Sequence, residues 1–278
     1  MKKIKYFIII TRPVNFAISF LSLIVAGLIC NNNQLNLNII FAAVSAAFVG
    51  SAGNIINDYF DIEIDKINRP NRILPSNKLS LKEVQIEFIV LNLAAVVLSY
   101  LINNYALIIV IFSITVIFSY SAYFKKIPLL GNILVSFFTG LAFIYGGAAV
   151  ENISAAIIPA VFAFTTNLIR ELIKDIEDIK GDSANNVFTF PSKFGIQKTK
   201  YLILSLTIML MILTTIPYIL EIYKIEFFLI AMSFINPLFL LMLKRLFEND
   251  ELSNMKSSSR IVKVNMIIGL IAIYLGAV

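Results

Sequence analysis

Nine apolar stretches, each long enough to form a membrane-spanning helix, alternate with polar segments along the 278 residues of the chain. A spanning helix needs about 20 mostly apolar residues. Short polar gaps at 31–38 and 103–104 predict tight turns, whereas the breaks at 61–82 and 173–199 are long and charged. The predicted spans are residues 13–30, 37–58, 83–102, 105–122, 131–150, 154–172, 200–219, 225–243 and 261–278. No soluble domain fits between them, so the pattern predicts an all-α integral membrane protein with residues 1–278 as a single polytopic domain.

The composition supports a membrane protein and narrows its chemistry. The chain is 59% hydrophobic and 14% charged, with a mean hydropathy of +0.86, whereas soluble domains are nearer half apolar and one quarter charged. It contains no histidine and a single cysteine, Cys30. Catalytic triads with histidine, zinc sites with histidine ligands and a disulfide framework within the chain are therefore excluded. Any catalysis must use carboxylates, Lys, Arg, Tyr, Asn or metal ions.

The basic residues predict the orientation of the chain. Lys and Arg accumulate on the cytoplasmic side of membrane helices. Nine spans with a cytoplasmic N-terminus place every Lys and Arg except Lys224 on that side, whereas eight or ten spans would scatter them. The net charge of +6 then reflects membrane topology, not binding to nucleic acid. We therefore expect a multi-pass protein of the cell membrane, in contact with membrane lipid.

Four polar residues share one face at the end of the second predicted span. Asn54, Asp58, Asp61 and Asp65 are spaced four, three and four residues apart. Because each helical residue turns about 100°, these positions fall within about 60° of one another. They lie at the predicted cytoplasmic end of the span and continue past it, and Pro70 follows where the helix is expected to have stopped.

The same spacing recurs after the sixth predicted span. Glu171, Asp175, Asp178 and Asp182 each follow a member of the first set by 117 residues. The recurrence predicts an internal repeat with two facing acidic helices. One acidic residue would be explained by solvation of a helix end, but two matched sets indicate a functional site.

Converging carboxylates repel one another and need a positive partner. Oxygen ligands without His or Cys favour Mg²⁺, which commonly bridges carboxylates to substrate phosphates. The candidate metal ligands are Asn54, Asp58, Asp61, Asp65, Glu171, Asp175, Asp178 and Asp182, and the six aspartates among them are the candidate catalytic residues. The sequence thus predicts a site for Mg²⁺ and a diphosphate, accessible to lipid-soluble substrates.

At these residues the chain resembles the UbiA-type membrane prenyltransferases. Their first signature is of the type Asn-x-x-x-Asp-x-x-Asp-x-x-x-Asp, which matches residues 54–65, and their second follows span six, as at 175–182. The resemblance covers essentially the whole chain. It implies a nine-helix bundle with both motifs on the cytoplasmic side, and an enzyme that transfers an isoprenyl group from an allylic diphosphate to an acceptor with Mg²⁺ as cofactor.

Within that family, the string RELIKDIEDIKGD at 170–182 is most similar to members that attach a second geranylgeranyl chain to geranylgeranylglyceryl phosphate in ether-lipid biosynthesis. An aromatic acceptor of the quinone or haem pathways is the alternative, with the same chemistry. A phosphorylated acceptor requires an additional basic cluster, which Arg170, Lys174 and Lys193 could supply.

Several basic and polar side chains near the two motifs are candidates for substrate binding. Arg69, Arg72 and Lys78 follow the first motif, and the family often has an Arg-Pro-x-Asn string like that of Arg12 and Asn15. Some members also carry a Tyr-x-x-x-Lys pair after span four, but here Phe124 lies four residues after Tyr120 and the first Lys follows it. The full set is Asn54, Arg69, Arg72, Lys78, Lys125, Lys126, Arg170, Lys174, Arg12 and Asn15.

Two other classes of membrane protein carry clustered acids. A divalent-cation transporter uses acids along its ion path, but the matched acids here lie at one end of their spans. A CDP-alcohol phosphotransferase would need Asp-Gly and Ala-Arg steps within its motif, and neither occurs in these two motifs. The enzyme hypothesis requires a prenyl diphosphate and an acceptor as partners, and no obligate protein partner.

Overall fold

The computed structural model describes residues 2–124, 127–184 and 189–277, with the side chains at positions 2, 68 and 180–184 excepted. Within these ranges the regular structure is helical, without strands, and nine helices are long and apolar enough to cross a membrane. They are Pro13–Cys30, Leu37–Phe60, Leu81–Ile102, Asn104–Phe124, Leu130–Ala149, Ile153–Ile179, Ile196–Ile219, Ile225–Glu248 and Leu252–Ala277. Each predicted span falls on one of them, so the prediction of nine spans is confirmed.

The chain groups into two compact units. Unit 1 comprises Met1–Lys125 and Ala142–Ser154, and unit 2 comprises Lys126–Leu141 and Ala155–Val278. Each carries one of the two acidic motifs. That the whole chain forms a single domain stays a prediction.

Unit 1 contains six complete helices and the second half of a seventh. They are α1 (Lys2–Ile10), α2 (Pro13–Cys30), α3 (Leu37–Phe60), α4 (Ile62–Asn68), α5 (Leu81–Ile102), α6 (Asn104–Ser119) and the end of α7 (Leu130–Ala149). Polar residues in the predicted turns begin the helices: the Asn36 side chain accepts a hydrogen bond from the Ile39 N–H, and Ser80 forms a reciprocal capping box with Glu83. Such caps satisfy N–H groups that have no partner within the helix.

Small residues bring the helices of unit 1 into close contact. Ala42, Ala43 and Ala95 are fully buried in one apolar cluster. Ser45 lies on the same surface of α3, where its hydroxyl donates to the Ala95 carbonyl at 3.1 Å and accepts from the Tyr145 hydroxyl at 3.1 Å. Small side chains and interhelical hydrogen bonds are the usual basis of helix packing in lipid.

The segment between α4 and α5 is fixed by its apolar residues. Ile73, Leu74 and Leu79 are buried in a second cluster with Ile10 of α1 and Ile55 of α3. Since these contacts join the irregular segment to both α1 and α3, they hold the segment against the end of α3. This placement determines where Arg72 lies.

Unit 2 contains the remaining helices. They are the first part of α7, α8 (Ile153–Ala184), α9 (Phe190–Phe194), α10 (Ile196–Leu213), α11 (Ile216–Ile219), α12 (Ile225–Ile230), α13 (Asn236–Glu248) and α14 (Leu252–Ala277). A π-helical turn, Ala231–Ile235, joins α12 to α13 just before Pro237. Proline lacks the N–H that would continue an α-helical ladder, and the Asn265 side chain donates to the Ile235 carbonyl at 3.0 Å.

The observed helices extend beyond several predicted bounds. The last helix begins at Leu252 rather than 261, because the polar string that precedes the apolar span is also helical and buries Asn254 and Ser258. The sixth spanning helix continues as α8 to Ala184. Hydropathy locates the part of a helix that lies in lipid, and polar turns beyond the lipid leave no such signal.

Gly146 tests the close packing of unit 1. A Cβ atom at Gly146 would lie 2.9 Å from the Ala26 carbonyl carbon, the Ala26 Cβ and the Gly27 nitrogen, whereas one at Gly269 would meet nothing within 4 Å. We expect Gly146→Ala to lower the free energy of unfolding by about 1–3 kcal/mol, because backbone must move. Gly269→Ala is the matched control and should leave the free energy of unfolding unchanged or raise it slightly. Thermal unfolding in one detergent measures both, and equal stability of the two variants would contradict the packing.

Candidate active site

Two arginines and two aspartates form an ion-pair cluster at the end of α3. Arg12 Nη2 donates to Asp58 Oδ1 at 2.6 Å, and Arg72 Nη1 donates to the same oxygen at 3.1 Å. Arg72 Nη1 also donates to Asp65 Oδ2 at 2.6 Å. The two carboxylates are nearly buried, with side-chain exposures of 12% for Asp58 and 8% for Asp65. We call these four residues the Asp58 cluster.

A strained turn between α1 and α2 positions Arg12. Its backbone is left-handed, with φ 56° and ψ 77°, a conformation that costs a residue with a Cβ atom about 1–2 kcal/mol. Asn54 holds the turn, because its side-chain amide donates to the Thr11 carbonyl at 3.3 Å. Pro13 then begins α2 at a position where a missing N–H costs nothing. The turn thus directs the Arg12 side chain to Asp58.

Arg72 reaches both carboxylates because the helix that carries them bends between them. α3 ends at Phe60, Asp61 joins it to α4 with φ −91° and ψ 2°, and Asp65 lies in α4. The backbone N–H groups of Asp61 and Asp65 each donate to the carbonyl four residues earlier, so the α-helical hydrogen-bond pattern continues across the join. Asp58 and Asp65, seven residues apart, therefore contact one guanidinium. The other two motif residues bond elsewhere: Asn54 to the turn before α2, and Asp61 through an Asn57 amide that donates to its Oδ2 at 3.1 Å.

The second motif lies on α8, and its first residue, Glu171, pairs with two neighbours in sequence. Arg170 Nη1 donates to Glu171 Oε1 at 2.6 Å, and Lys174 Nζ lies 3.6 Å from Glu171 Oε2. Asp175 Oδ2 accepts a hydrogen bond from Asn132 Nδ2 of α7 at 2.9 Å. Asp178 is exposed. The side chain of Asp182 lies outside the described residues, and the convergence of the two motifs stays a prediction.

The structure shows the surroundings of three other substrate-binding candidates. Asn15 and Arg69 are exposed. Lys78 Nζ donates to the Asn71 carbonyl at 3.3 Å and lies 5.9 Å from the centre of the Tyr6 ring. Lys125 and Lys126 lie outside the described residues. They directly follow a π-helical turn, Tyr120–Phe124, which bonds each residue to the fifth rather than the fourth along the chain.

The donor set of the Asp58 cluster suits a hard cation. One nitrogen atom, Arg72 Nη1, lies within 3.1 Å of oxygens from both Asp58 and Asp65, so both carboxylates face one position that a positive charge already occupies. No group of three acidic or cysteine side chains that could hold a metal occurs within the described residues. Mg²⁺ commonly takes only one or two carboxylates and completes its shell with waters and phosphate oxygens. The residues present therefore fit Mg²⁺ bound together with a diphosphate.

A model of a protein family matches most of the chain. The model described as the UbiA prenyltransferase family matches residues 19–267. This chain belongs to the UbiA prenyltransferase family. The resemblance inferred from the two acidic motifs is thereby confirmed, and the chain is a multi-pass membrane protein of a family of enzymes.

Relatives of this UbiA-family protein match over nearly its whole length. A digeranylgeranylglyceryl phosphate synthase from Methanococcus aeolicus is 34% identical over 277 residues, which cover 99% of this chain and 98% of the relative. One from Methanocaldococcus jannaschii is also 34% identical, and the match covers 100% of this chain and 98% of the relative. Both relatives thus match across both acidic motifs.

Solved structures share the fold. One, described as giving insight into digeranylgeranylglyceryl phosphate synthase in membranes, has a TM-score of 0.91 at 33% identity and covers 100% of this chain and 99% of that chain. A UbiA homologue from Archaeoglobus fulgidus bound to DMAPP and Mg²⁺ has a TM-score of 0.70 at 19% identity and covers 96% of this chain and 98% of that chain. The expected UbiA-type fold is confirmed.

Two side chains were missed by the sequence analysis. Asn132, which bonds Asp175, follows Asn15 by 117 residues, the same shift that relates the acidic motifs. Extending the repeat to the neighbouring spans would have found it. Glu87 lies two turns inside α5, and its Oε2 is buried with no hydrogen-bond partner within the described part of the chain. An acid in an apolar span was the available signal.

The hydrogen bond between Asn132 and Asp175 can be measured directly. We expect a double-mutant cycle of Asn132→Leu and Asp175→Ala to give a coupling of about 1–2 kcal/mol, because the acceptor is charged. Unfolding in lipid nanodiscs provides the readout. Thr139→Val on the same helix is the control, since its hydroxyl donates only to the Val135 carbonyl one turn earlier. Additive effects of the two substitutions would show that the contact does not hold Asp175.

Proposed function

We propose that this UbiA-family protein transfers the geranylgeranyl group of geranylgeranyl diphosphate to geranylgeranylglyceryl phosphate in ether-lipid biosynthesis. The observation that carries the proposal is the likeness at 33–34% identity, over nearly full length, to proteins described as digeranylgeranylglyceryl phosphate synthases. The acidic motifs are consistent with it, because the Asp58 cluster offers a pair of carboxylates suited to a metal that bridges to a diphosphate.

In the proposed site, Asp58 and Asp65 of the first motif hold Mg²⁺, with Asn54 and Asp61 beside them on the same helix segment. Asp175, Asp178 and Asp182 of the second motif serve a second ion, with Glu171 as a further ligand. The metal, when bound, neutralises the diphosphate as it leaves. Support for Mg²⁺ comes from the donor chemistry and from the Mg²⁺-bound UbiA homologue.

The proposed reaction exchanges one carbon–oxygen bond for another. The bond between the allylic carbon and the diphosphate oxygen breaks, the acceptor hydroxyl oxygen bonds to that carbon, and the hydroxyl proton leaves. Arg12 and Arg72 pair with carboxylates of the first motif and are our candidates to hold the diphosphate. Arg170 and Lys174 adjoin the second motif and are our candidates for the acceptor phosphate.

A transfer assay on purified protein in lipid tests the function. Labelled geranylgeranyl diphosphate and Mg²⁺ are supplied with geranylgeranylglyceryl phosphate or a panel of aromatic acids. We expect label in a doubly prenylated glyceryl phosphate and its loss with EDTA. Label only in an aromatic product would keep the chemistry and replace the acceptor. Tight Mg²⁺ binding without any transfer would favour a cation transporter instead.

The same assay tests the carboxylates. Asp58→Asn and Asp175→Asn should each lower the rate at least about a hundredfold, because each removes a charged ligand from a leaving-group site. Glu63→Gln is the matched control: Glu63 is exposed, lies between Asp61 and Asp65 in sequence, and pairs only with Lys66 at 2.7 Å. Full activity of Asp58→Asn or Asp175→Asn would refute the two-metal site.

We also propose that the active site faces the cytoplasm, as the distribution of Lys and Arg indicates. In a Cys30→Ser background, a cysteine at Gln34 should react with an impermeant maleimide on intact cells. One at Lys82 should react only after the membrane is opened. Both positions are exposed, and the reverse labelling pattern would invert the orientation.

A further inference from the structure

Arg72 contacts two of the three carboxylates of the first motif, Asp58 and Asp65, with the same nitrogen atom. We propose that Arg12 and Arg72 are exchangeable counter-ions: they neutralise Asp58 and Asp65 before substrate binds, then release them to the metal and pair with the diphosphate. The proposal rests on the proposed metal–diphosphate site. It makes metal and diphosphate binding mutually dependent.

The arginines hold the same atoms that a metal would need. Asp58 Oδ1 accepts from both guanidinium groups, at 2.6 and 3.1 Å, and Asp65 Oδ2 accepts from Arg72 at 2.6 Å. A cation cannot bind these oxygens at metal-ligand distances of about 2.0–2.1 Å while they keep those bonds. Arg72 therefore competes directly with Mg²⁺ for the carboxylates.

Charge balance opposes either ligand alone. The Asp58 cluster contains two positive and two negative side chains in contact, so it is neutral as it stands. A divalent cation by itself would leave two arginines without partners beside it, and a diphosphate by itself would face two aspartates. Unpaired charges in partly buried positions are costly. When both ligands bind, the carboxylates pair with the metal and the guanidinium groups with the phosphates.

The two side chains can exchange partners without refolding the segments that carry them. Arg72 is 23% exposed and Arg12 is 35% exposed, so each guanidinium already reaches the surface of the cluster. The backbone on either side is held independently, by the buried Ile73 and Leu74 after Arg72 and by the Asn54 bond to Thr11 beside Arg12. Rotation of a long side chain about its own bonds is sufficient.

The test is metal binding in the absence of an acceptor. Full-length protein in nanodiscs is titrated with Mn²⁺, followed by the paramagnetic resonance of free Mn²⁺, with and without geranylgeranyl thiolodiphosphate, an analogue that resists cleavage. In the unsubstituted protein we expect the analogue to tighten Mn²⁺ binding about tenfold to a hundredfold, with the reciprocal effect of Mn²⁺ on the analogue.

Substitution of Arg72 should strengthen the binding of Mn²⁺ alone, whereas loss of an ordinary site residue would weaken it. Arg72→Gln should bind Mn²⁺ alone about tenfold more tightly than the unsubstituted protein, because the competitor is gone, and the analogue should tighten Mn²⁺ binding less than it does in the unsubstituted protein. Lys66→Gln is the matched control, since it removes one positive charge next to Asp65 in sequence from a side chain that pairs with Glu63 at 2.7 Å. It should keep both the weak Mn²⁺ binding and the enhancement by the analogue.

Three outcomes would overturn the exchange. They are weaker or unchanged Mn²⁺ binding by Arg72→Gln, the same gain in Lys66→Gln, and an analogue effect in Arg72→Gln as large as in the unsubstituted protein. If Arg72→Gln does not fold, Arg12→Gln serves in its place with a smaller change of the same sign, because Arg12 contacts only Asp58 within the cluster.

Failure of the exchange and failure of the proposed function are distinguishable. An aromatic acceptor would change the product of the transfer assay and leave these titrations as described, because no acceptor is present. If Mn²⁺ fails to bind even with the analogue, or binds equally to Asp58→Asn, the metal–diphosphate site itself is wrong. If Mn²⁺ binds through Asp58 without any dependence on Arg72, only the exchange is wrong.

Discussion

The need to neutralise acids at the edge of an apolar protein determines the organisation of the first motif. Asp58 and Asp65 are nearly buried, and such charges are stable only with a partner of opposite sign. Arg12 supplies one from a strained turn, and Arg72 supplies the other from an irregular segment fixed by buried apolar residues. The turn before α2, the bend at Asp61 and the path between α4 and α5 all serve these pairs. The cations that stabilise these carboxylates are also those that we propose to bind the diphosphate.

The two halves of the internal repeat use different partners for equivalent residues. Asp58 and Asp175 are separated by the repeat shift of 117 residues, as are the first residues of α2 and α7. Asp58 accepts from two guanidinium groups that lie 46 and 14 residues away in sequence, whereas Asp175 accepts from the Asn132 amide. Two guanidinium groups thus hold the first carboxylate, and the second accepts a hydrogen bond from a neutral amide.

Much of the fold was predictable from the sequence because lipid imposes a simple rule. A helix that crosses a bilayer must be apolar over about 20 residues, so hydropathy identified all nine spans within the described residues. The N-terminal caps of α3 and α5 were predictable as well, since Asn36 and Ser80 are polar residues next to apolar runs. The end of α8 and the start of α14 were not predictable, because helical turns outside lipid have no required composition. The π-helical turn at Ala231–Ile235 is set by local packing and a following proline.

The sequence by itself determined which residues are the candidates for the chemistry: spacing of four, three and four aligns each acidic set on one helical face, and a shift of 117 residues relates the two sets. Only the tertiary structure decided their partners. Arg72 and Asp58 meet because buried contacts fold the intervening segment back onto α3, and Arg12 meets Asp58 across 46 residues because Asn54 holds the turn beside it. Helical periodicity is a local property that a sequence displays directly. The pairing of distant charges depends on how separate segments pack, which no local pattern records.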